Sequence, residues 1–379
     1  MSLSFESAKT WLLKSGLYCN KKNDKNLGGV HSFYDEKQEQ YGFFYPEITG
    51  YFVSSLIFLN DVEKKSSYLL FAKQSSDWLI AIYEKYGGII QEIVPNQQTK
   101  NLVYTFDSAI CAKGILDYYL VSNNNNYLNF AKKIIFNLID EALEKDGTIK
   151  PYKNLENGEY EESNEVWYKQ KGCLHIKTSM PFFQLYQITK EEKLFEIAKQ
   201  ICDTYSKFLK PDGSIRLHLT NDIVNLHTMS YALEGLVYAY YYTKNENYLD
   251  CCRKSANWCL QKINSDNSIN LWHNSKYRSK ASYPIAQLIR ILIILQKIDN
   301  NSNYDEFLKR LITFLAQLQA SSDDIRINGG IYEEFYKSLF GWKMRYKLNS
   351  WATMFTLQAI YWYENREKLS LTNMMTHLY

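Results

Sequence analysis

The sequence repeats itself at intervals of about 60 residues, and this repeat limits the folds open to the chain. An Ala-Lys pair at 72–73, 131–132 and 198–199 is followed, 15 or 16 residues after the alanine, by a glycine and a nearby isoleucine. Weaker copies complete a set of six, with the glycine or its equivalent at residues 29, 88, 147, 213, 267 and 330. A unit of this size cannot bury its apolar face alone, so the six units must pack against one another.

Each unit predicts two helices of different character. The first is amphipathic, as shown by Leu128, Ala131, Ile135 and Leu138, which recur every three or four residues on one face. The second is apolar on nearly every side, which is typical of a buried helix. The amphipathic helices are expected near residues 3–17, 62–85, 125–144, 191–209, 246–263 and 303–320. The apolar helices are expected near residues 47–60, 107–121, 175–188, 227–243, 283–297 and 350–364.

Six amphipathic helices alternating with six buried helices predict an all-α fold, an (α/α)6 barrel of six helical hairpins in a closed toroid. The apolar helices form the inner ring and the amphipathic helices form the outer wall. Because successive helices alternate in direction, the inner six run parallel and their N-termini meet at one mouth. No linker rich in Pro, Gly or Ser interrupts the repeat, so residues 1–379 are predicted to form a single domain.

Composition narrows the range of functions and locations. Hydrophobic residues make up 46% of the chain, and a net charge of +3 without a polybasic run argues against a nucleic-acid partner. Arg290 interrupts the apolar stretch 285–295, so no membrane span is expected. Glu6, Lys9 and Lys14 break up the N-terminal segment, which is unlike a signal peptide, and the seven cysteines have no CxxC spacing. These features predict a cytoplasmic protein with free, buried thiols.

Four of the six inner helices are predicted to begin with a residue suited to proton transfer. Glu47, Asp107, His175 and His227 occupy equivalent places on successive hairpins, so they are expected to surround the same mouth. Acids also favour helix N-termini, where they cap free N–H groups, and histidines are also found in protein cores. The sequence leaves both interpretations open, and we take the four residues as candidate catalytic groups.

The repeat of Ala-Lys and Gly-x-Ile segments, over about residues 5 to 363, resembles the six-hairpin (α/α)6-barrel superfamily. This superfamily includes glycosidases, polysaccharide lyases, unsaturated-uronide hydrolases and sugar isomerases similar to N-acylglucosamine 2-epimerase. The resemblance implies an active site in the barrel mouth, at the N-termini of the inner helices. It implies no single reaction, because one fold hosts several chemistries.

Three functions remain open at this stage. The first is a glycoside hydrolase that acts on an acidic saccharide, with Glu47 and Asp107 as the acid and base on neighbouring hairpins. The second is an epimerase of the N-acylglucosamine 2-epimerase type, with His175 and His227 moving the proton. The third is a toroid that binds a glycan without catalysis. We place the hydrolase first, although the sequence decides neither whether the protein is an enzyme nor its oligomeric state.

Aromatic and basic residues are concentrated in the loops predicted to surround the mouth. Aromatic rings offer flat faces to sugars, and cations together with helix N-termini favour an anionic ligand. The acids Glu333 and Glu334 oppose that preference and are expected to be solvated. The residues predicted to bind substrate are Tyr45, Tyr51, Lys177, Trp272, Arg278, Tyr283, Arg345 and Trp351.

Motifs for other chemistries are absent from the sequence. It contains no HExxH, no Cys/His quartet at zinc spacing, no GxxxxGK[ST] and no GxGxxG after a predicted strand. We therefore predict a saccharide or glycan-precursor substrate handled without a metal ion or any other cofactor.

Overall fold

A computed structural model describes residues 3–94, 101–164 and 166–379 of the chain. Within these residues six outer and six inner helices alternate, and this order confirms the predicted (α/α)6 barrel. The outer helices are α1 (Phe5–Lys14), α3 (Ser66–Tyr86), α5 (Asn125–Asn137), α7 (Glu192–Ser206), α9 (Glu246–Gln261) and α11 (Asp305–Ala316). The inner helices are α2 (Pro46–Glu63), α4 (Thr105–Ser122), α6 (Ser179–Thr189), α8 (Leu226–Thr243), α10 (Ser282–Asp299) and α12 (Ser350–Asn365).

The inner helices form a closed ring, because each packs against the next and α12 packs against α2. The first five inner helices each pack against the outer helix that follows them. The sixth inner helix, α12, packs against α1 more than against any other outer helix. Outer helices bury one face only, as α7 does with Leu194, Ile197, Ala198 and Ile201. The main core therefore lies between the two rings, and the contact between α1 and α12 closes it.

The repeated glycine positions hold the mouth loops against outer helices. Gly213 at its repeat position and Gly329, one residue before the repeat position 330, have φ values of 94° and 92°, in the left-handed region that favours glycine. A Cβ on Gly213 would lie 2.5 Å from the carbonyl oxygen of Lys254 in α9. A Cβ on Gly329 would lie 2.1 Å from the carbonyl oxygen of Ser7 in α1. At these two positions glycine is therefore explained by close backbone contact between a loop and the next outer helix around the ring.

Short strands surround the mouth in place of a sheet core. Four small antiparallel sheets join neighbouring loops among the described residues, in the orders β11-β1-β2, β3-β4-β5, β6-β7 and β10-β9-β8. Their strands are β1 (Phe33–Asp35), β2 (Gln40–Tyr41), β3 (Leu102–Tyr104), β4 (Tyr152–Asn154), β5 (Tyr160–Glu161), β6 (Val224–Asn225), β7 (Trp272–His273), β8 (Ser279–Ala281), β9 (Glu334–Ser338), β10 (Gly341–Met344) and β11 (Lys347–Asn349). Pairing across loops fixes the residues that lead into each inner helix.

The third hairpin departs from the predicted register. Cys173–Thr178 forms a 3₁₀ turn, and the α-helix begins only at Ser179. A 3₁₀ turn has about 3.0 residues per turn instead of 3.6, so its side chains do not point where the repeat would place them. The change affects His175 and Lys177, which both lie on this turn.

A further helix that the repeat did not predict, α13 (Leu371–His377), packs against α2 and α10. The Tyr379 ring that follows it is buried, with its centroid 6.1 Å from those of Tyr51 and Phe355. The Tyr379 hydroxyl donates a hydrogen bond to the carbonyl oxygen of Met354 at 3.0 Å. These contacts fill the interior of the barrel beneath the mouth.

All seven cysteines are free thiols and six of them are buried, as the sequence predicted. Across residues 3–94, 101–164 and 166–379, no helix is both long enough and apolar enough to span a bilayer.

Candidate active site

The mouth is built from the first turns of the inner helices. Glu47, Asp107, His227, Tyr283 and Trp351 are each the second or third residue of α2, α4, α8, α10 and α12. All except Trp351 are buried. The repeat predicted this convergence, because equivalent positions on parallel inner helices meet at one end of the ring.

Glu47 and Asp107 form a pair of buried carboxyl groups on adjacent helices. Burial raises the pKa of Glu47 to about 7, although a hydrogen bond from Tyr45 and the nearby Lys177 ammonium oppose the rise. Burial, and then the neighbouring Glu47 carboxylate, raise the pKa of Asp107 well above its ordinary value. Asp107 Oδ2 is buried and makes no hydrogen bond within the described residues. Near neutral pH the pair therefore retains at least one proton.

His227 lies among aromatic rings, and one of these, Tyr231, is close enough to Glu47 and Asp107 to interact electrostatically with both carboxyl groups. Its ring centroid is 4.2 Å from that of Tyr231 and 4.5 Å from that of Tyr283, and Trp351 packs on Tyr283 at 6.0 Å. The ring centroid of Trp167, which lies in the loop between α5 and α6, is 6.2 Å from that of His227. Burial lowers the pKa of His227 to about 3, so the imidazole is neutral at physiological pH.

The tautomer of His227 is fixed by a chain of hydrogen bonds. Gln287 Nε2 donates to Glu234 Oε2 at 3.0 Å, which turns the Gln287 carbonyl oxygen towards the imidazole. His227 Nδ1 lies 2.6 Å from that oxygen and must carry the proton, since a carbonyl oxygen only accepts. The free lone pair of the neutral ring therefore belongs to Nε2.

A cluster of buried charges lies close to this chain. We call Lys177, Glu234, Gln287 and Arg290 the inner charge cluster. Lys177 Nζ donates to Glu234 Oε2 at 2.7 Å, and the Arg290 guanidinium donates to the other oxygen of the same carboxylate. The Lys177 ammonium lies 4.8 Å from the Tyr51 ring centroid and 4.6 Å from that of Tyr231. Burial lowers the pKa of Lys177 to about 8 despite its contact with Glu234.

His175 is separated from the other three predicted catalytic residues. Its ring lies 5.9 Å from Tyr205 of the outer helix α7, and both ring nitrogens are buried. Burial lowers the pKa of His175 to about 4. The 3₁₀ turn directs this side chain into the core between the two rings, while Lys177 from the same turn reaches the interior.

Three of the predicted substrate-binding residues lie at the rim. Trp272 packs on Tyr277 at 5.9 Å, and Arg278 is exposed. Arg345 Nε donates to Glu334 Oε1 at 2.9 Å. The other five, Tyr45, Tyr51, Lys177, Tyr283 and Trp351, belong to the mouth or to the interior beneath it.

The expectation that Glu333 and Glu334 are solvated was wrong. Glu334 is only 8% exposed, because it is held by Arg345 at the start of β9. Burial and the adjacent Glu334 carboxylate raise the pKa of Glu333 to about 7, against the opposing effect of Arg345. Burial raises the pKa of Tyr283 well above its ordinary value and the nearby Glu333 carboxylate raises it further, so Glu333 belongs to the edge of the mouth.

Sequence reasoning missed most of the inner charge cluster and the ring of Tyr231. A signal was present, since Glu234, Gln287 and Arg290 are polar residues inside helices that are otherwise apolar. What the sequence could not provide was their pairing, because Glu234 meets residues 53 to 57 positions away.

Comparison with known proteins gives a clear result for structure and none for sequence. No family model matches the chain, and no curated protein matches it significantly. A cellobiose 2-epimerase from Bacillus thermoamylovorans B4167 is 14% identical and superposes with a TM-score of 0.75, covering 93% of this chain and 95% of its own. A D-mannose isomerase is 10% identical, with a TM-score of 0.76 and coverage of 95% and 96%.

Hydrolases match over a similar extent. An unsaturated glucuronyl hydrolase specific for heparin is 14% identical, with a TM-score of 0.70 and coverage of 97% of both chains. Identities this low establish the fold and leave the reaction open. The chain thus has the six-hairpin (α/α)6-barrel fold shared by these sugar epimerases, isomerases and glucuronyl hydrolases.

Proposed function

We propose that this protein hydrolyses a glycosidic bond of an acidic saccharide by acid/base catalysis in the barrel mouth. The observation that carries the proposal is the pair Glu47 and Asp107, two buried carboxyl groups on adjacent inner helices that share a retained proton near neutral pH. A glycosidase needs one protonated and one ionised carboxyl group at the same time, and such a pair supplies both.

The surroundings of the two carboxyl groups assign their roles. Asp107 Oδ2 has no hydrogen-bond partner among the described residues, and burial and the Glu47 carboxylate raise the pKa of Asp107, so Asp107 keeps the proton and donates it to the oxygen of the leaving sugar as the glycosidic bond breaks. Glu47 is the better base, since Tyr45 and Lys177 stabilise its ionised form. It accepts a proton from the water whose oxygen bonds to the anomeric carbon.

Charge in the barrel interior supports an acidic substrate. Lys177 and Arg290 surround the single carboxylate of Glu234, so the inner charge cluster has an excess of one positive charge. An anionic sugar in the mouth would be attracted by this excess. Structural neighbours that are named glucuronyl hydrolases are consistent with the same substrate class.

A second candidate function rests on His227. The imidazole is neutral and Nδ1 is committed to Gln287, so Nε2 could remove a proton from a carbon next to a sugar carbonyl. An epimerase with two histidines would also need His175, which lies against α7. Epimerisation by this chain would therefore pair His227 with Glu47 or Asp107. We rank it second for this reason.

Isotope incorporation distinguishes the two reactions. The purified protein is incubated with uronides, hexosamines and their oligosaccharides in ¹⁸O-labelled water and, separately, in deuterium oxide. A hydrolase places ¹⁸O on the anomeric carbon of the released sugar, whereas an epimerase places deuterium on the carbon that changes configuration. Asp107→Asn is the control, because it keeps the shape of the side chain and removes its proton.

Failure of both labels would decide between the remaining interpretations. If no substrate acquires either isotope while binding persists, catalysis is refuted and the protein is a glycan-binding toroid. The free thiols lead us to propose a cytoplasmic location, which in turn favours an intracellular oligosaccharide or a glycan precursor as substrate.

A further inference from the structure

A cleft of 520 Å³ opens at the rim of the barrel, beside the mouth. One wall comes from the loop between α9 and α10, and the other includes Trp342 of β10. The side chains important here are Asp266, Trp272, Tyr277, Arg278, Lys280 and Trp342. None of the four catalytic candidates lines this cleft, whereas two of the predicted substrate-binding residues, Trp272 and Arg278, do.

Three large aromatic rings, those of Trp272, Tyr277 and Trp342, line this cleft. Tyr277 is 60% exposed and Trp342 is 40% exposed. Trp272 and Tyr277 pack with centroids 5.9 Å apart, and the Lys280 ammonium lies 4.4 Å from the Trp342 centroid. Exposed Trp and Tyr rings that are already fixed by neighbours lose little entropy when a sugar stacks on them.

The charge of the cleft is positive. Its single carboxylate, Asp266, is bound by Lys280, and the only other ionised side chain in the lining is Arg278. Burial lowers the pKa of the remaining titratable group, His273, which is therefore neutral. The Arg278 guanidinium is exposed and makes no ion pair or side-chain hydrogen bond within the described ranges. The guanidinium can therefore donate two hydrogen bonds to a carboxylate, in the bidentate geometry that arginine favours.

The wall formed by the loop between α9 and α10 continues into the mouth at two places. Trp272 pairs in register with Asn225, the residue that caps α8 and lies two residues before His227. Lys280 lies in β8, and α10 begins immediately after this strand with a first turn that contains Tyr283 and Pro284. The ring of Tyr283 in that turn contacts His227. A saccharide chain leaving the mouth on this side would pass from Tyr283 to the rim cleft.

We propose that this rim cleft binds an internal or distal uronate unit of an oligosaccharide whose terminal unit occupies the mouth. The proposal rests on the proposed function, because it extends the substrate from one acidic sugar to an acidic chain. Trp272 and Tyr277 stack on the sugar ring, and Arg278 binds its carboxylate.

Binding as a function of chain length tests the rim cleft. Asp107→Asn protein is titrated by calorimetry with hyaluronan oligosaccharides and oligogalacturonides, from disaccharides to octasaccharides, and with neutral cello-oligosaccharides. We expect affinity for at least one acidic series to rise with length. Trp272→Ala and Arg278→Gln should each weaken binding of the longer members about tenfold and leave disaccharide binding unchanged. Lys368→Gln, which removes an exposed cation on the segment after α12, should change nothing.

The outcomes separate this proposal from the proposed function. The rim cleft is refuted if affinity does not rise with length in either acidic series, or if the Trp272 and Arg278 variants bind long oligomers as the parent does. An equal rise for neutral chains would also refute the uronate assignment. Hydrolysis by the unsubstituted protein is measured separately, so a negative hydrolysis result leaves the binding result intact. Unchanged thermal unfolding of each variant ensures that lost binding is not lost folding.

Discussion

Two groups of buried charges inside one barrel are satisfied very differently. In the inner charge cluster the Glu234 carboxylate receives hydrogen bonds from Lys177, Gln287 and Arg290. At the mouth, Glu47 and Asp107 lie next to each other, and Asp107 Oδ2 has no hydrogen-bond partner among the described residues. Both groups are buried, so burial alone does not distinguish them.

The difference indicates which group serves the structure and which serves the chemistry. Both oxygens of the buried Glu234 carboxylate accept hydrogen bonds, and removing that carboxylate would leave two buried cations without a countercharge. Two carboxyl groups with too few donors destabilise their own ionised forms, and such perturbed groups are typical of catalytic sites. We therefore expect substitutions in the inner charge cluster to lower stability, and substitutions at the mouth to lower activity.

The largest effect is expected at the mouth. Asp107→Asn and Glu47→Gln should each lower kcat/KM by at least about 100-fold, because each removes a group that transfers a proton in the transition state. Initial rates on the substrate identified by isotope incorporation provide the measurement, with urea unfolding as the control for stability. Activity within tenfold of the parent in either variant would remove that carboxyl group from the mechanism.

The inner charge cluster should show the opposite response. Glu234→Gln leaves Lys177 and Arg290 buried without a countercharge and should lower the free energy of unfolding by about 3–5 kcal/mol. Glu196→Gln is the matched control, since the Glu196 side chain is 64% exposed and its pair with Lys199 should contribute less than about 1 kcal/mol. Equal losses in the two variants, measured by urea unfolding, would contradict the assignment.

The pH dependence of stability sharpens the comparison. Glu47 ionises at about pH 7 in the folded protein and near its ordinary value of 4.5 in the unfolded chain. The unfolded chain therefore loses this proton first, and the folded state loses stability as the pH rises between these two values. Relative to the parent, Glu47→Gln should gain about 3 kcal/mol between about pH 4 and pH 8. Parallel stability curves for parent and variant would show that the pKa of Glu47 is not raised.

The smallest effect is expected for His175. It lies against Tyr205 rather than in the mouth, so His175→Asn should change kcat/KM by less than about tenfold while lowering the melting temperature. His227→Asn, assayed beside it, tests a ring that does face the mouth. A loss at His175 as large as that at Asp107 would mean that the imidazole reaches the substrate.

The sequence was most informative where the repeat is regular. Glu47, Asp107 and His227 could be placed at one mouth because equivalent positions on parallel helices must meet. The same reasoning failed for His175, since the repeat does not distinguish an α-helical first turn from the 3₁₀ turn at Cys173–Thr178. A local change in helix type rotates side chains without changing the spacing of apolar residues.

Long-range pairing was beyond the reach of the repeat. Glu234 and Arg290 each interrupt an apolar helix, and the pattern alone cannot say that their side chains meet across the barrel. The burial of Glu334 was missed for a similar reason, because it depends on Arg345, which follows the facing strand β10. The element α13 lies after the last repeat, where periodicity makes no prediction.

The packing of α1 against α12 has a consequence for how the protein is made. The ring lacks its last contacts until α12 has left the ribosome, so the apolar faces of earlier hairpins remain incomplete during synthesis and are open to chaperones. In the finished ring, the interface between α1 and α12 takes its place beside the five interfaces between an inner helix and the outer helix that follows it.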